Sequence, residues 1–314
     1  MKNGRAVAEA LVAAVEKAIE GKRDVVTLAV TTLLARGHLL VEDVPGVGKT
    51  TLARALARSV GVPFRRVQFT SDLLPADVLG GSLYDPKNGT LEFRPGPIFT
   101  SVLLADEVNR TTPRTQSALL EAMDERAVSI EGETRPLPEP FFVVATQNPE
   151  EFHGTYPLPE SQLDRFLLRV AIGHPPAAIE RKLLRERGAS SPVDTIEAVV
   201  TKEELLAAQR EVDAVRVDDL VLDYVHEIIL GTRKSALLSL GASTRAALAL
   251  GRAVRAHALV LGRAFATPDD VKTLAVAALA HRVRPREMPG DRGAERDVAS
   301  RAVREIVDAI PVPI

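Results

Sequence analysis

Apolar positions follow two different periods along this chain, and the change from one to the other divides it. Short, nearly unbroken apolar runs stand at 38–41, 67–69, 102–105, 141–145 and 166–172. Runs of this kind, without polar alternation, suit strands buried on both faces of a parallel sheet. Helical stripes separate them. Residues 51–58 carry Leu52, Ala55 and Leu56, and 113–126 carry Leu119, Leu120 and Met123 behind Pro113, a favoured first helical residue. The segment 71–79 also reads as helical. Two helices come first: 4–20, with Val7, Leu11, Val15 and Ile19 on one face and Gly21 as its stop, and 25–35, stopped by Gly37. Strands alternating with helices predict an α/β fold with right-handed crossovers.

Two stretches interrupt this alternation. Asn88-Gly89 lies between the short runs 82–84 and 90–93, a hairpin signal, and a second hairpin is predicted over 128–137, turning at Glu131-Gly132-Glu133. Gly173-His174-Pro175-Pro176 closes the strand-bearing region, one helix follows at 177–187, and 188–192 reads as a linker. Beyond it the pattern is helical only, at 202–212, 218–230, 244–261, 268–283 and 295–310. The expected organisation is therefore an α/β unit over 1–190, with hairpin inserts near 80–95 and 127–138, and a small all-helical domain over 191–314.

Composition narrows the function without choosing it. The 314 residues are 46% apolar, enough for a sizeable core, and 40 basic against 42 acidic residues leave a net charge of −2. No overall electrostatic case for nucleic acid or an anionic membrane follows. Cysteine is absent, so disulfides and thiolate metal sites are excluded. Residues 1–21 lack the apolar core of a signal peptide, and no run reaches the length of a membrane span. A cytoplasmic location is expected.

The chemistry concentrates at the end of the first strand. His38-Leu39-Leu40-Val41 runs into Glu42-Asp43-Val44-Pro45-Gly46-Val47-Gly48-Lys49-Thr50-Thr51 and then a helix, the strand–loop–helix order of a phosphate-binding P-loop. Its backbone N–H groups would cradle phosphate oxygens at the helix N-terminus, Lys49 would neutralise β/γ charge and Thr50 would hold Mg²⁺. Asp43 stands where the strict pattern has glycine, six positions before the lysine. The third strand ends in Asp106-Glu107, on the sheet edge that lines the ligand crevice. Asp106 is placed to bind Mg²⁺ through water, and Glu107 to orient and deprotonate the attacking water.

Other candidates carry simpler alternatives. The fourth strand ends in Thr146-Gln147-Asn148-Pro149; Asn148 is preferred over Gln147 as a γ-phosphate sensor because side chains alternate, yet asparagine before proline also forms plain turns. Arg165 could pair with Asp164 alone, or reach a neighbouring subunit's γ-phosphate. Arg245 follows the N-cap candidate Ser243, where a cation opposes the helix dipole, so bound phosphate or a nearby acid should compensate. The six histidines show no metal-ligand spacing.

With these residues in place, the chain resembles an AAA+ ATPase and, more narrowly, the MoxR family. The resemblance rests on the P-loop segment from Gly37 to Thr50, Asp106-Glu107-Val108-Asn109-Arg110, Thr115-Gln116-Ser117-Ala118-Leu119-Leu120-Glu121-Ala122-Met123, Ala145-Thr146-Gln147-Asn148-Pro149, Leu158-Pro159-Glu160-Ser161-Gln162-Leu163-Asp164-Arg165-Phe166 and Gly241-Ala242-Ser243-Thr244-Arg245. It implies a five-stranded parallel core with helices on both faces and a helical lid. It implies Lys49 and Thr50 as the Walker A lysine and threonine, Asp106 and Glu107 as the Walker B pair, Asn148 as sensor 1, Arg165 as the arginine finger and Arg245 as sensor 2. Thr244 replaces the proline usual before that last arginine. Asp43, Val44, Pro45, Gly46, Val47, Gly48 and Thr51 would complete the phosphate cradle, with Ile19 and Gly21 beside adenine.

The same resemblance implies ATP and Mg²⁺ as ligands and a ring, usually hexameric, that remodels protein clients, often with a von Willebrand factor A domain partner. ATP is then expected between the α/β unit and the lid, completed by Arg165 of the adjacent subunit. The polar hairpins would touch the client. A nucleic-acid motor, with Arg65, Arg66, Lys87 and Arg94 lining a pore, and a slowly hydrolysing nucleotide-gated scaffold are the competing expectations.

Overall fold

The computed structural model describes residues 2–148, 154–186, 192–287 and 292–313. In chain order its elements are α1 (Gly4–Glu16), α2 (Arg23–Leu34), β1 (Leu39–Glu42), α3 (Lys49–Val60), β2 (Phe64–Gln68), α4 (Pro75–Leu79), β3 (Gly80–Asp85), β4 (Thr90–Pro95), β5 (Val102–Asp106), α5 (Pro113–Glu125), β6 (Ala127–Ile130), β7 (Glu133–Pro136), β8 (Phe142–Gln147), α6 (Glu160–Leu163), β9 (Leu168–Val170), α7 (Ala177–Glu186), α8 (Lys202–Asp213), α9 (Asp219–Lys234), β10 (Leu238–Leu240), α10 (Thr244–Val260), α11 (Pro268–Leu279), β11 (Arg284–Pro285) and α12 (Arg292–Ala309). Five strands form one sheet in the order β2-β5-β8-β1-β9. Every adjacent pair is parallel.

The pleat explains why the central strand runs are apolar throughout. Leu39, Val41, Val102, Leu104, Phe142 and Val144 face a core shared with α1, α2 and α3. Their neighbours Leu40, Leu103, Ala105, Val143 and Ala145 face a second core under α4, α5 and the β6–β7 hairpin. The three central strands β1, β5 and β8 therefore need apolar residues on both faces, whereas the edge strands β2 and β9 carry Arg65, Arg66 and Arg169. The first core continues without a break into the C-terminal helices through Leu205, Ile228, Leu250, Val254, Leu274 and Val303.

His38 fastens three elements together at the entrance to β1. Its Nδ1 accepts from the Val143 N–H at 3.0 Å, and its Nε2 lies 3.2 Å from the Met123 carbonyl, which fixes a neutral ring with the proton on Nε2. Burial lowers its pKa from 6.5 to about 4.

Several sequence expectations are corrected. The helix expected over 71–79 is confined to Pro75–Leu79, because Leu74 precedes proline and is held extended (φ −92°, ψ 156°). The helix expected over 4–20 ends at Glu16, and Gly21 (φ +74°) terminates a turn rather than the helix itself. The C-terminal region is not all-helical: Leu238–Leu240 and Arg284–Pro285 pair antiparallel, so the helix expected over 268–283 stops at Leu279. The hairpins appear where expected, as β3–β4 and β6–β7. Their exposed surface is not uniformly polar: Leu83, Tyr84 and Leu91 are 51, 65 and 67% exposed, and Tyr84 lies directly opposite Leu91. Pro149, His153 and most of the expected 188–192 linker lie outside the described residues.

Candidate functional site

The loop between β1 and α3 is shaped by two glycines and one carboxylate. Gly46 (φ +86°) and Gly48 (φ +100°) occupy left-handed conformations that a side chain would strain. Gly48 is the N-cap of α3 and offers no side-chain cap, and the first-turn N–H groups of a helix point toward an anion placed at its N-terminus. Asp43 is buried and takes two backbone donors, the Val44 N–H at 2.9 Å and the Gly173 N–H at 2.6 Å. It thereby ties the start of the loop to the exit of β9. Val44, Pro45 and Val47 fill the rest of the turn, Val47 buried and Pro45 exposed.

Lys49 Nζ donates to the Asp43 and Gln147 carbonyls, the latter at 3.1 Å. On the preceding residue of the same strand, Thr146 Oγ1 donates to Asp106 Oδ1 at 2.5 Å and accepts from the Glu107 N–H at 2.9 Å. The end of β8 thus joins the P-loop lysine to both acids. Glu107 is left-handed (φ 58°, ψ 49°), a conformation uncommon outside glycine and asparagine, which turns the chain sharply off β5. Its Oε2 accepts from Gln68 Nε2 at 2.6 Å and Arg110 Nη1 at 2.9 Å. Asp106 Oδ2 accepts from Arg66 Nε and Nη2 at 3.0 and 2.6 Å.

On the α1 side of the loop, Ile19 Cδ1 lies 3.4 Å from where a Cβ on Gly48 would stand, and Gly21 turns against Pro176 and Ile179. An ion pair between Glu20 and Lys182 at 2.9 Å closes the same corner. Asn148 is buried just past β8, beside Gln147, whose buried Nε2 has no hydrogen-bond partner. Both line a cavity of about 450 Å³ that Glu42, Arg169 and His281 also border.

The two arginines sit elsewhere. Arg165 Nη1 donates to the Leu120 carbonyl at 2.5 Å and pairs with Asp124 at 3.2 Å. Arg245 pairs with the same Asp124 carboxylate at 3.5 Å and is mostly exposed. This end of α5 lies against the start of β1: Met123 touches His38, and Arg126 donates to the Arg36 carbonyl at 2.8 Å. Lys49 follows the other end of that strand, which at about 3.3 Å per residue is on the order of 13 Å away. Arg245 therefore stands away from Lys49 of its own chain, toward the opposite end of β1. The lid is fastened there. Asp164 accepts from Ser243 Oγ at 3.0 Å and pairs with the buried Arg282 at 2.9 Å. Burial lowers Arg282 to a pKa of about 10 against the opposing pull of Asp164.

The sequence does not mark Arg66, Gln68, Arg110 or Asp124 for this chemistry, and Arg66 enters only as a candidate pore cation of the competing nucleic-acid expectation. The available signal was strand alternation: Arg66 and Gln68 share one face of β2, in register beside Leu104 and Asp106 of β5.

Residues 38–168 match the model of the ATPase family associated with various cellular activities, and 230–304 match the AAA lid domain. YeaC of Bacillus subtilis is 48% identical over 96% of this chain and 93% of its own length. Chaperone MoxR1 of Mycobacterium tuberculosis is 40% identical over 86% of this chain and 73% of its own. A crystal structure of a candidate ATPase from Cytophaga hutchinsonii superposes with a TM-score of 0.86 at 32% identity, covering 99% of this chain and 96% of that one.

Proposed function

This chain belongs to the MoxR family of AAA+ ATPases, and we propose that it hydrolyses ATP with Mg²⁺ in a ring of subunits that remodels protein clients. The observation that carries the hydrolytic reading is the junction at the end of β8, where Gln147 and Thr146 bring Lys49, Asp106 and Glu107 to one sheet edge. Thr50 and Asp106 are hard oxygen donors, one hydroxyl and one carboxylate, and Mg²⁺ ordinarily takes few protein ligands and completes its shell with phosphate and water. They fit the ion. When bound, it supplies positive charge to the β- and γ-phosphate oxygens.

The remaining work falls to side chains. Lys49 exchanges its two carbonyl acceptors for phosphate oxygens, and Glu107 takes a proton from the attacking water. Asn148 donates to the γ-phosphate, and Ile19 and Gly21 border the base. Arg165 and Arg245 act together on the neighbouring subunit's ATP, since one carboxylate holds both at the edge remote from Lys49. Charge that develops on the transferred phosphoryl group is then met from two subunits. In this reading 1–190 is the nucleotide-binding unit and 191–314 the lid, which carries Arg245 to the subunit boundary.

Client contact is assigned to the β3–β4 hairpin, whose exposed Tyr84–Leu91 pair offers apolar surface on a projecting element. A hexamer, a cytoplasmic setting and a von Willebrand factor A domain partner complete the proposal. The relative named a chaperone is consistent with it. A nucleic-acid motor is disfavoured, because Arg66, one of the proposed pore cations, is engaged by Asp106.

ATP turnover by the full chain, with and without Mg²⁺, tests this reading alongside Lys49→Ala and Glu107→Gln. Wild type should turn over only with the metal, Lys49→Ala should lose nucleotide binding, and Glu107→Gln should bind without turnover. Full turnover by Glu107→Gln contradicts the assignment of the base.

A further inference from the structure

Arg66 touches one acid of the site directly and reaches the other only through Gln68. Its Nε and Nη2 reach Asp106 Oδ2 at 3.0 and 2.6 Å, while Nη2 also donates to Gln68 Oε1 at 3.1 Å. Gln68 in turn holds Glu107 Oε2 at 2.6 Å. The other Asp106 oxygen is taken by Thr146 at 2.5 Å. Both oxygens of the proposed metal acid therefore already have donors, and one of those donors is a full cation.

Its position makes the cation displaceable. β2 is an edge strand of the sheet, and the Arg66 side chain is 50% exposed while that of Asp106 is 13% exposed. The guanidinium thus approaches a sheltered carboxylate from the solvent side. Thr146, by contrast, is wholly buried and cannot withdraw.

We propose that Arg66 is a resident counter-cation of Asp106 that competes with Mg²⁺, so that productive metal binding requires its withdrawal. This rests on the assignment of Asp106 to Mg²⁺. It gives Arg66 a gating role. Without metal, Arg66 neutralises Asp106 and, through Gln68, restrains Glu107. When Arg66 leaves, Gln68 loses its own tether, so loading of the metal loosens the hold on Glu107 from that side while Arg110 keeps its contact at 2.9 Å. The effect is modest in size, because a half-exposed pair exchanges readily with solvent.

The test is the Mg²⁺ concentration at which a fluorescent, non-hydrolysable ATP analogue binds half-tightened to the full chain. Arg66→Gln should lower that midpoint about three- to tenfold, the scale of a partly exposed ion pair. Arg66→Lys, which keeps charge but loses the two-pronged contact, should fall between. Analogue binding without Mg²⁺ should stay at the wild-type level in both, which reports an intact P-loop. An unchanged or raised midpoint in Arg66→Gln overturns the proposal while leaving the metal site standing. A wild type whose analogue binding ignores Mg²⁺ overturns both.

Discussion

Asp43 occupies the place of a P-loop glycine, and its carboxylate gives the reason: it accepts from the N–H groups of Val44 and Gly173. Replacing it with the pattern's own glycine should therefore weaken the protein. We expect Asp43→Gly to cost about 1–3 kcal/mol for the two donors left without their acceptor, read as a lower denaturant midpoint, together with weaker ATP binding. Glu107→Gln separates binding from chemistry, and its turnover should fall by about 10²–10⁴, the usual worth of a positioned base. His38 sets a pH limit. Burial holds it near 4, so as pH falls below 6.5 the unfolded chain takes up a proton that the folded chain refuses. Its contribution is complete above pH 6.5 and is lost progressively down to about 4, amounting to about 2 kcal/mol by pH 5. Buried His281, also lowered by burial, adds in the same direction. Denaturant midpoints at pH 7 and 5 check the sign.

At the level of elements, the apolar runs made the central strands legible, and Asn88-Gly89 and Glu131-Gly132 did the same for the two hairpins; of β2 the run at 67–69 marked only the end, because Arg65 and Arg66 break the apolar pattern on that edge strand. What escaped had no local period. Leu238–Leu240 and Arg284–Pro285 are too short to alternate, and their pairing is set by where α9 and α11 end. The site was legible wherever chemistry is contiguous, as at Gly48-Lys49-Thr50 and Asp106-Glu107. It was obscure where the partner is distant in sequence: nothing local in β2 announces that Arg66 and Gln68 face Asp106 and Glu107, and nothing near Arg245 points to Asp124. The clamp around Asp164 belongs to the same class. Asp164→Ala should leave Arg282, whose side chain is 2% exposed, without its counter-ion, at a cost of about 3 kcal/mol, measured by thermal unfolding as a loss of several degrees.

Taken as a whole, the molecule places the residues proposed for nucleotide chemistry on two opposite edges. Lys49, Asp106 and Glu107 lie at the carboxyl end of the sheet, while Arg165 and Arg245 share Asp124 at the other end. Further arginines crowd the second edge. Burial lowers the pKa values of both Arg126 and Arg252, the charges of Arg36 and, for Arg252, of Arg126 lower them further, and an anion supplied by a neighbour would relieve that repulsion. Removing Arg165 should cost turnover about 10³–10⁵-fold if it completes an adjacent site. The most direct measurement is ATP hydrolysis by a mixture of two inactive variants, Glu107→Gln and the double variant Arg165→Ala/Arg245→Ala. In a shared-site ring the arginine-deficient subunit keeps its Glu107 and borrows both arginines from its neighbour. Random mixing then completes roughly a quarter of the interfaces, and activity should return to that extent. A mixture as inactive as its components would contradict the account, because each subunit would then have to assemble its site alone.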